Sequence, residues 1–207
     1  DAQQQTYTFD VVSGVTAIAR FPFTDVPAGS WYYGAAAYAY NNGLFGGTSP
    51  TTFAPSAVMS RAMLVTVLWR LAGAPAPKGV NTFSDVPGGT WYTDAVTWAA
   101  ENGVVSGIGG GRFAPNSDVT REQTAEILFN YAHSCGYDVG ARADLSAFPD
   151  AGSVSGWAQD ALSWANAAGL INGTVYGGRT ILDPQGSASR AQVAMILRSY
   201  AEHVVNA

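Results

Sequence analysis

The chain has 207 residues, 47% of them hydrophobic and 12% aromatic, which is enough apolar material for a core and excludes a disordered composition. Charged residues make up only 12%, with a net charge of −5 and a pI of about 4.8. That balance excludes the basic stripe that nucleic acids require and removes electrostatic help at an anionic membrane.

Lys78 is the single lysine, so an anionic ligand has to be held by arginines, the better oxyanion fork. Cys135 is the single cysteine, which rules out an internal disulfide and a thiolate metal cluster and reads as a small, semi-buried side chain. No apolar run approaches the roughly 20 residues of a membrane span. Asp1 to Gln5 offer neither a basic n-region nor an apolar h-region, so no signal peptide is expected there.

Residues 1–20 belong to no repeat. Tyr7, Phe9 and Val11 alternate with Thr8 and Asp10, the pattern of a short strand or of the tail of an upstream domain. From Phe21 onward the chain reads as three diverged copies of one unit, over 21–79, 80–143 and 144–207. Phe23-Thr24-Asp25-Val26-Pro27 returns as Phe83-Ser84-Asp85-Val86-Pro87 and, more loosely, as Phe148-Pro149-Asp150-Ala151. The aspartates precede turns, where carboxylates bond backbone amides.

A tryptophan comes after each turn: Trp31, Trp91 and Trp157. In the second copy Trp91, Ala95, Trp98 and Ala99 share one helical face, with Thr90 as the expected N-cap; Ser30 is its counterpart in the first copy. Gly43, Gly103 and Gly169 are expected to close these first helices in the left-handed conformation. A hydrophobic pair and a second glycine come next, at Gly47, Gly107 and Gly173, then a loop of variable length ending in Phe53-Ala54-Pro55, Phe113-Ala114-Pro115 or Leu182-Asp183-Pro184.

A second helix then opens with Ser60-Arg61, Thr120-Arg121 or Ser189-Arg190. Gln123 and Gln192 complete capping boxes, whereas Met63 breaks the box in the first copy. Leu64, Val67, Leu68 and Leu71 form the core face of the first of these helices, matched by Thr124, Ile127, Leu128 and Tyr131 and by Val193, Ile196, Leu197 and Tyr200.

Five motifs in register three times make the chain similar to the S-layer homology (SLH) family over roughly residues 21 to 205. They are the F-[ST]-D-V-P start, the W-Y-x-D-A helix opening, the glycine loop, the F-x-P segment and the [ST]-R-[AE]-[QE] helix start. The resemblance implies a mainly α fold in which three repeats close into one pseudo-threefold, three-pronged spindle around a central three-helix bundle. It implies non-covalent attachment to a secondary cell-wall polysaccharide, often a pyruvylated amino-sugar chain, in grooves between copies. The implied setting is extracellular, at the bacterial cell wall or S-layer, as a monomeric pseudo-trimer tethering a larger polypeptide. The chain departs from the family pattern at Gly34, where Asp94 and Asp160 occupy the other copies, and at Met63 and Ala158.

The candidate ligand-binding residues are Arg61, Arg121, Arg190, Asp94, Asp160, Gly47, Gly107, Gly173, Trp31, Trp91 and Trp157. Each arginine puts a cation at the positive end of a helix dipole, unfavourable by ~0.3–1 kcal/mol, so an opposing interaction is required. Two are open: a ligand carboxylate held by the guanidinium and free helix N–H groups, or an internal pair with a carboxylate of the next copy. Asp94 and Asp160 suit a helix first turn and could instead accept sugar hydroxyls. The tryptophans sit on an apolar face, which points to core packing, with stacking on sugar rings as the alternative. The three glycines permit close approach to a neighbouring helix or to a ligand.

Catalysis finds no support. His133 and His203 fall late on second helices, and no nucleophile–base order, phosphate loop or metal cluster occurs. No cofactor, metal, nucleic acid or membrane insertion is expected. The competing reading from another class is a protein–protein docking or scaffold module with structural arginines; a third is an enzyme whose catalytic half lies upstream.

Overall fold

The computed structural model describes residues 21–205, so the strand expected around Tyr7 to Val11 lies outside the described residues. Among the described residues six α-helices carry the fold: α1 (Tyr33–Asn41), α2 (Arg61–Leu71), α3 (Thr93–Glu101), α4 (Arg121–Ser134), α5 (Gln159–Ala167) and α6 (Arg190–Tyr200). The one sheet among the described residues is an antiparallel hairpin of β1 (Thr174–Tyr176) and β2 (Arg179–Ile181), turned by Gly177 and Gly178, both at positive φ. The fold is mainly α, as the periodicity predicts.

The second helices start where their caps predict. Ser60, Thr120 and Ser189 each accept a backbone amide three residues on, and Thr120–Gln123 and Ser189–Gln192 form full capping boxes. The first helices differ from expectation. They begin at Tyr33, Thr93 and Gln159, beyond their tryptophans, and no side chain caps them. The hydroxyls of Ser30 and Thr90 instead donate back to the carbonyls of Pro27 and Pro87, closing the preceding turn. Gly43, Gly103 and Gly169 terminate these helices at φ near +70°, and Leu44 N–H donates to the Ala39 carbonyl at 2.9 Å, the bond that closes a helix through a left-handed residue.

The copies interlock in a cycle. Each second helix packs on the first helix of the following copy, α2 on α3 and α4 on α5, and α6 returns to α1. Backbone bonds run the same way: Val119 N–H donates to Met59, Ala188 to Val119 and Met59 to Ala188, at 2.9 to 3.0 Å. One continuous core results. It holds the predicted faces of α2, α4 and α6 together with Ala35, Ala39, Ala95, Trp98, Ala161 and Trp164. Leu71 lies only partly buried at its edge. Cys135, the C-cap of α4, is exposed and not semi-buried, because the helix ends at the surface there. His133 and His203 are exposed.

Candidate functional site

The three arginines have the same surroundings. Arg61, Arg121 and Arg190 are 6%, 5% and 8% exposed, and each Nε donates to a carbonyl of the next copy's F-x-P segment. The acceptors are Phe113 for Arg61 at 2.9 Å, Leu182 for Arg121 at 2.8 Å and Phe53 for Arg190 at 2.8 Å. The helix N–H groups beside them are also taken. Arg61 and Ala62 donate to Ser117 and Pro115, Arg121 and Glu122 to Gly186 and Pro184, and Arg190 and Ala191 to Ala57 and Pro55. The free amides expected at these helix ends are therefore consumed by carbonyls of the neighbouring copy, which also offset the unfavourable dipole position.

No arginine of this set forms a direct ion pair among the described residues. Burial lowers the pKa of all three, opposed by the charge of Asp85 at Arg61, of Asp183 and Asp150 at Arg121, and of Asp25 at Arg190. The internal partner is thus a backbone carbonyl, with a carboxylate at longer range.

Those carboxylates build the segment that the arginines hold. Asp25 accepts the amides of Phe53 and Ala54, Asp85 those of Phe113 and Ala114, and Asp150 those of Leu182 and Asp183, all at 2.7 to 2.8 Å. The aspartates bond backbone amides as expected, but those amides lie 28 to 33 residues along the chain and not in the adjacent turn. Ala54, Ala114 and Asp183 lie at φ 58°, 59° and 51°, a left-handed conformation costing a side-chain-bearing residue about 1–2 kcal/mol. Two amide bonds on one side and an arginine on the other hold that strained turn.

Two grooves open beside this machinery. The first, of about 250 Å³, is walled by the Leu44–Gly47 loop and by Met63, Thr66 and Arg70 of α2. Trp91 from the second copy and Arg190 from the third complete it. The second, of about 400 Å³, repeats the plan with Val104–Gly107, with Gln123, Glu126 and Asn130 of α4, and with Trp157 and Arg61. Each of these groove walls therefore combines three copies.

The tryptophans overturn the core-packing expectation. Trp31, Trp91 and Trp157 are 65%, 58% and 54% exposed, because each precedes its helix and escapes the helical periodicity that buries Trp98 and Trp164. Trp91 and Trp157 instead present their rings to the grooves. Gly47 and Gly107 line them as well, yet the need for glycine comes from within the copy. A Cβ at Gly47 would lie 2.5 Å from the Phe23 ring, one at Gly107 2.8 Å from Phe83, and one at Gly173 2.9 Å from Phe148.

Asp94 and Asp160 occupy first turns of α3 and α5 and are exposed. Asp160 pairs with Arg142 at 3.6 Å, while Asp94 has no ion pair among the described residues. Gly34 stands against α6, where an added Cβ would come 2.7 Å from Nη1 of Arg198.

Sequence reasoning missed Arg70, Glu126 and Asn130. Arg70 lines the first groove and Glu126 and Asn130 the second, from a polar stripe of the second helix whose only signal was its spacing from the N-cap. It also missed buried Glu122, which accepts the Ser155 amide and hydroxyl at 3.0 and 2.9 Å and so ties the second copy to the third.

A helical unit repeated three times, with grooves whose walls combine all three copies, defines a tandem-repeat module. The profile of the S-layer homology domain matches residues 22–62, 82–125 and 147–194, and the chain belongs to that family, whose modules anchor proteins to the cell wall at the cell surface. Similar proteins include the surface-layer 125 kDa protein of Lysinibacillus sphaericus, 33% identical over 78% of this chain and 13% of that protein. An endoglucanase of Bacillus sp. (strain KSM-635) is 30% identical over 86% of this chain and 18% of its own length. This chain thus spans less than a fifth of either relative. A solved undecaheme cytochrome from the S-layer of Carboxydothermus ferrireducens is similar over 87% of this chain and 23% of that one, with TM-score 0.44 and 17% identity.

Proposed function

We propose that the chain binds a secondary cell-wall polysaccharide in its inter-copy grooves and thereby tethers a larger surface polypeptide without catalysing a reaction itself. The observation that carries this reading is the placement of an exposed tryptophan from one copy, an arginine from another and a glycine loop from a third around each groove. An aromatic face stacks on a sugar ring, glycine lets backbone approach it, and guanidinium nitrogens suit a carboxylate such as a pyruvyl acetal. We further infer that the cyclic pairing of repeats 21–79, 80–143 and 144–207 closes into the pseudo-threefold spindle of the family, with α2, α4 and α6 at its centre.

The test is cosedimentation with purified cell walls before and after stripping of the secondary polymer, for the wild type and for Trp91→Ala with Trp157→Ala. Retention should depend on the polymer and fall at least about tenfold in the double variant, with melting temperature unchanged. Retention indifferent to stripping would favour a protein-docking module. The buried, carbonyl-bonded arginines fit that second reading as purely structural residues.

A further inference from the structure

The two grooves share a plan but not a charge. In the first, α2 contributes Thr66 and Arg70, and no carboxylate lines the space. Arg190 donates through Nη2 to the Gly46 carbonyl at 2.6 Å, and Arg70 through Nη1 to Leu44 at 3.1 Å, so both guanidinium groups are anchored at the loop. In the second groove the equivalent positions of α4 are Glu126 and Asn130. One cation is lost there and an anion gained.

Glu126 is half-buried and nearly unpartnered. Among the described residues its one hydrogen bond comes from the Asn130 amide at a long 3.3 Å, and none of the ion pairs involves it. A carboxylate accepts about four hydrogen bonds, so most of its capacity is left for an occupant of the groove. Arg61 lines the same groove, but no cation forms an ion pair with Glu126 among the described residues. Burial raises its pKa, the Asn130 bond opposes this, and the charge of Asp160 raises it further. Asp160 is itself held by Arg142, while Arg61, the arginine lining this groove, is committed through Nε to Phe113. An anionic sugar entering here would meet one arginine and one carboxylate where the first groove offers two arginines; an ammonium group would find an acceptor in Glu126.

Resting on the glycan-anchoring reading above, in which the Arg70–Arg190 groove takes a sugar carboxylate, we propose that the Glu126 groove selects instead an amino sugar with a free ammonium group. Glu126 is then a specificity-determining residue, and one chain reads two charges on its polymer.

The indole N–H signals of Trp157 and Trp91 report the two grooves separately in NMR titrations. The probes are a fully deacetylated glucosamine tetramer, its N-acetylated counterpart and a galacturonate tetramer. The glucosamine tetramer should move the Trp157 signal and bind about tenfold more tightly than the N-acetylated form, a preference that Glu126→Gln removes. Galacturonate should move Trp91 and leave Trp157 in place. Equal binding of the two amino-sugar tetramers, or an unchanged preference in Glu126→Gln, overturns the proposal. Cosedimentation with walls run on the same samples separates the two readings. Retention on walls with no charge preference sinks this inference alone, and absence of both retention and titration shifts sinks the anchoring reading with it.

Discussion

Arg190 donates from Nε to the carbonyl of Phe53 at 2.8 Å, joining residues 137 positions apart and closing the last copy onto the first. The same bond links Arg61 to Phe113 and Arg121 to Leu182, so the family's arginine motif is in this chain a device for coupling copies. Stability and groove geometry consequently depend on the same side chains.

Removing Arg190 should therefore cost more than a surface arginine would. Arg190→Ala leaves the Phe53 and Gly46 carbonyls without their donors and is expected to destabilise by about 2–4 kcal/mol. Arg121→Ala should cost less, because the Nη2 of Arg121 is buried without a partner among the described residues and its removal relieves that penalty. Chemical denaturation of the two variants gives the comparison, and a larger loss in Arg121→Ala would contradict it.

Deletion of residues 144–207 should leave no cooperative unit. The cut removes α6 from α1 and the Ala188 carbonyl from Met59, exposing the Ala35–Ala39 face and the core side of α2 to water. Repeat units that draw their core from neighbours do not stand alone. The expected result is a broad melt or aggregation. A sharp transition near that of the whole chain would count against it.

Acid should loosen the strained turn at Ala114. Burial pushes the Asp85 carboxyl up, but the amides of Phe113 and Ala114, helped by the Arg112 guanidinium, outweigh that and hold it below the ordinary carboxylate range. A carboxyl depressed on folding adds stability that is complete above its unfolded value and is lost as pH falls through its folded one. Asp85→Asn, which offers one acceptor where two amides need two, should cost ~1–2 kcal/mol at neutral pH and flatten the acid limb of the stability curve. A variant with the wild type's full acid dependence would show that other groups carry it.

Gly34→Asp should stabilise the chain. A side chain in the first turn of α1 gains helix propensity and a favourable dipole, and its carboxylate would arrive beside Arg198, now paired with Glu202 at 2.8 Å. The close approach of 2.7 Å is to the flexible tip of that arginine, which can swing aside. A gain of about 0.5–1.5 kcal/mol in thermal denaturation is expected; a loss would mean that Arg198 cannot move.

The sequence by itself determined the repeat, the second-helix caps, the glycine stops and the core faces of α2, α4 and α6, because each depends on contacts within a few residues. That Asp25, Asp85 and Asp150 bond backbone amides was also legible, but not which amides, since these lie 28 to 33 residues further along the chain. The rest of what only the tertiary structure decided lies between copies. Pattern alone made Trp31, Trp91 and Trp157 core residues, yet each sits ahead of its helix and turns outward, beyond the reach of a 3.6-residue period. The partners of Arg61, Arg121 and Arg190 proved to be carbonyls far away in the chain, and a carbonyl belongs to every residue alike. Such an acceptor leaves no mark in a sequence until folding brings it to the guanidinium.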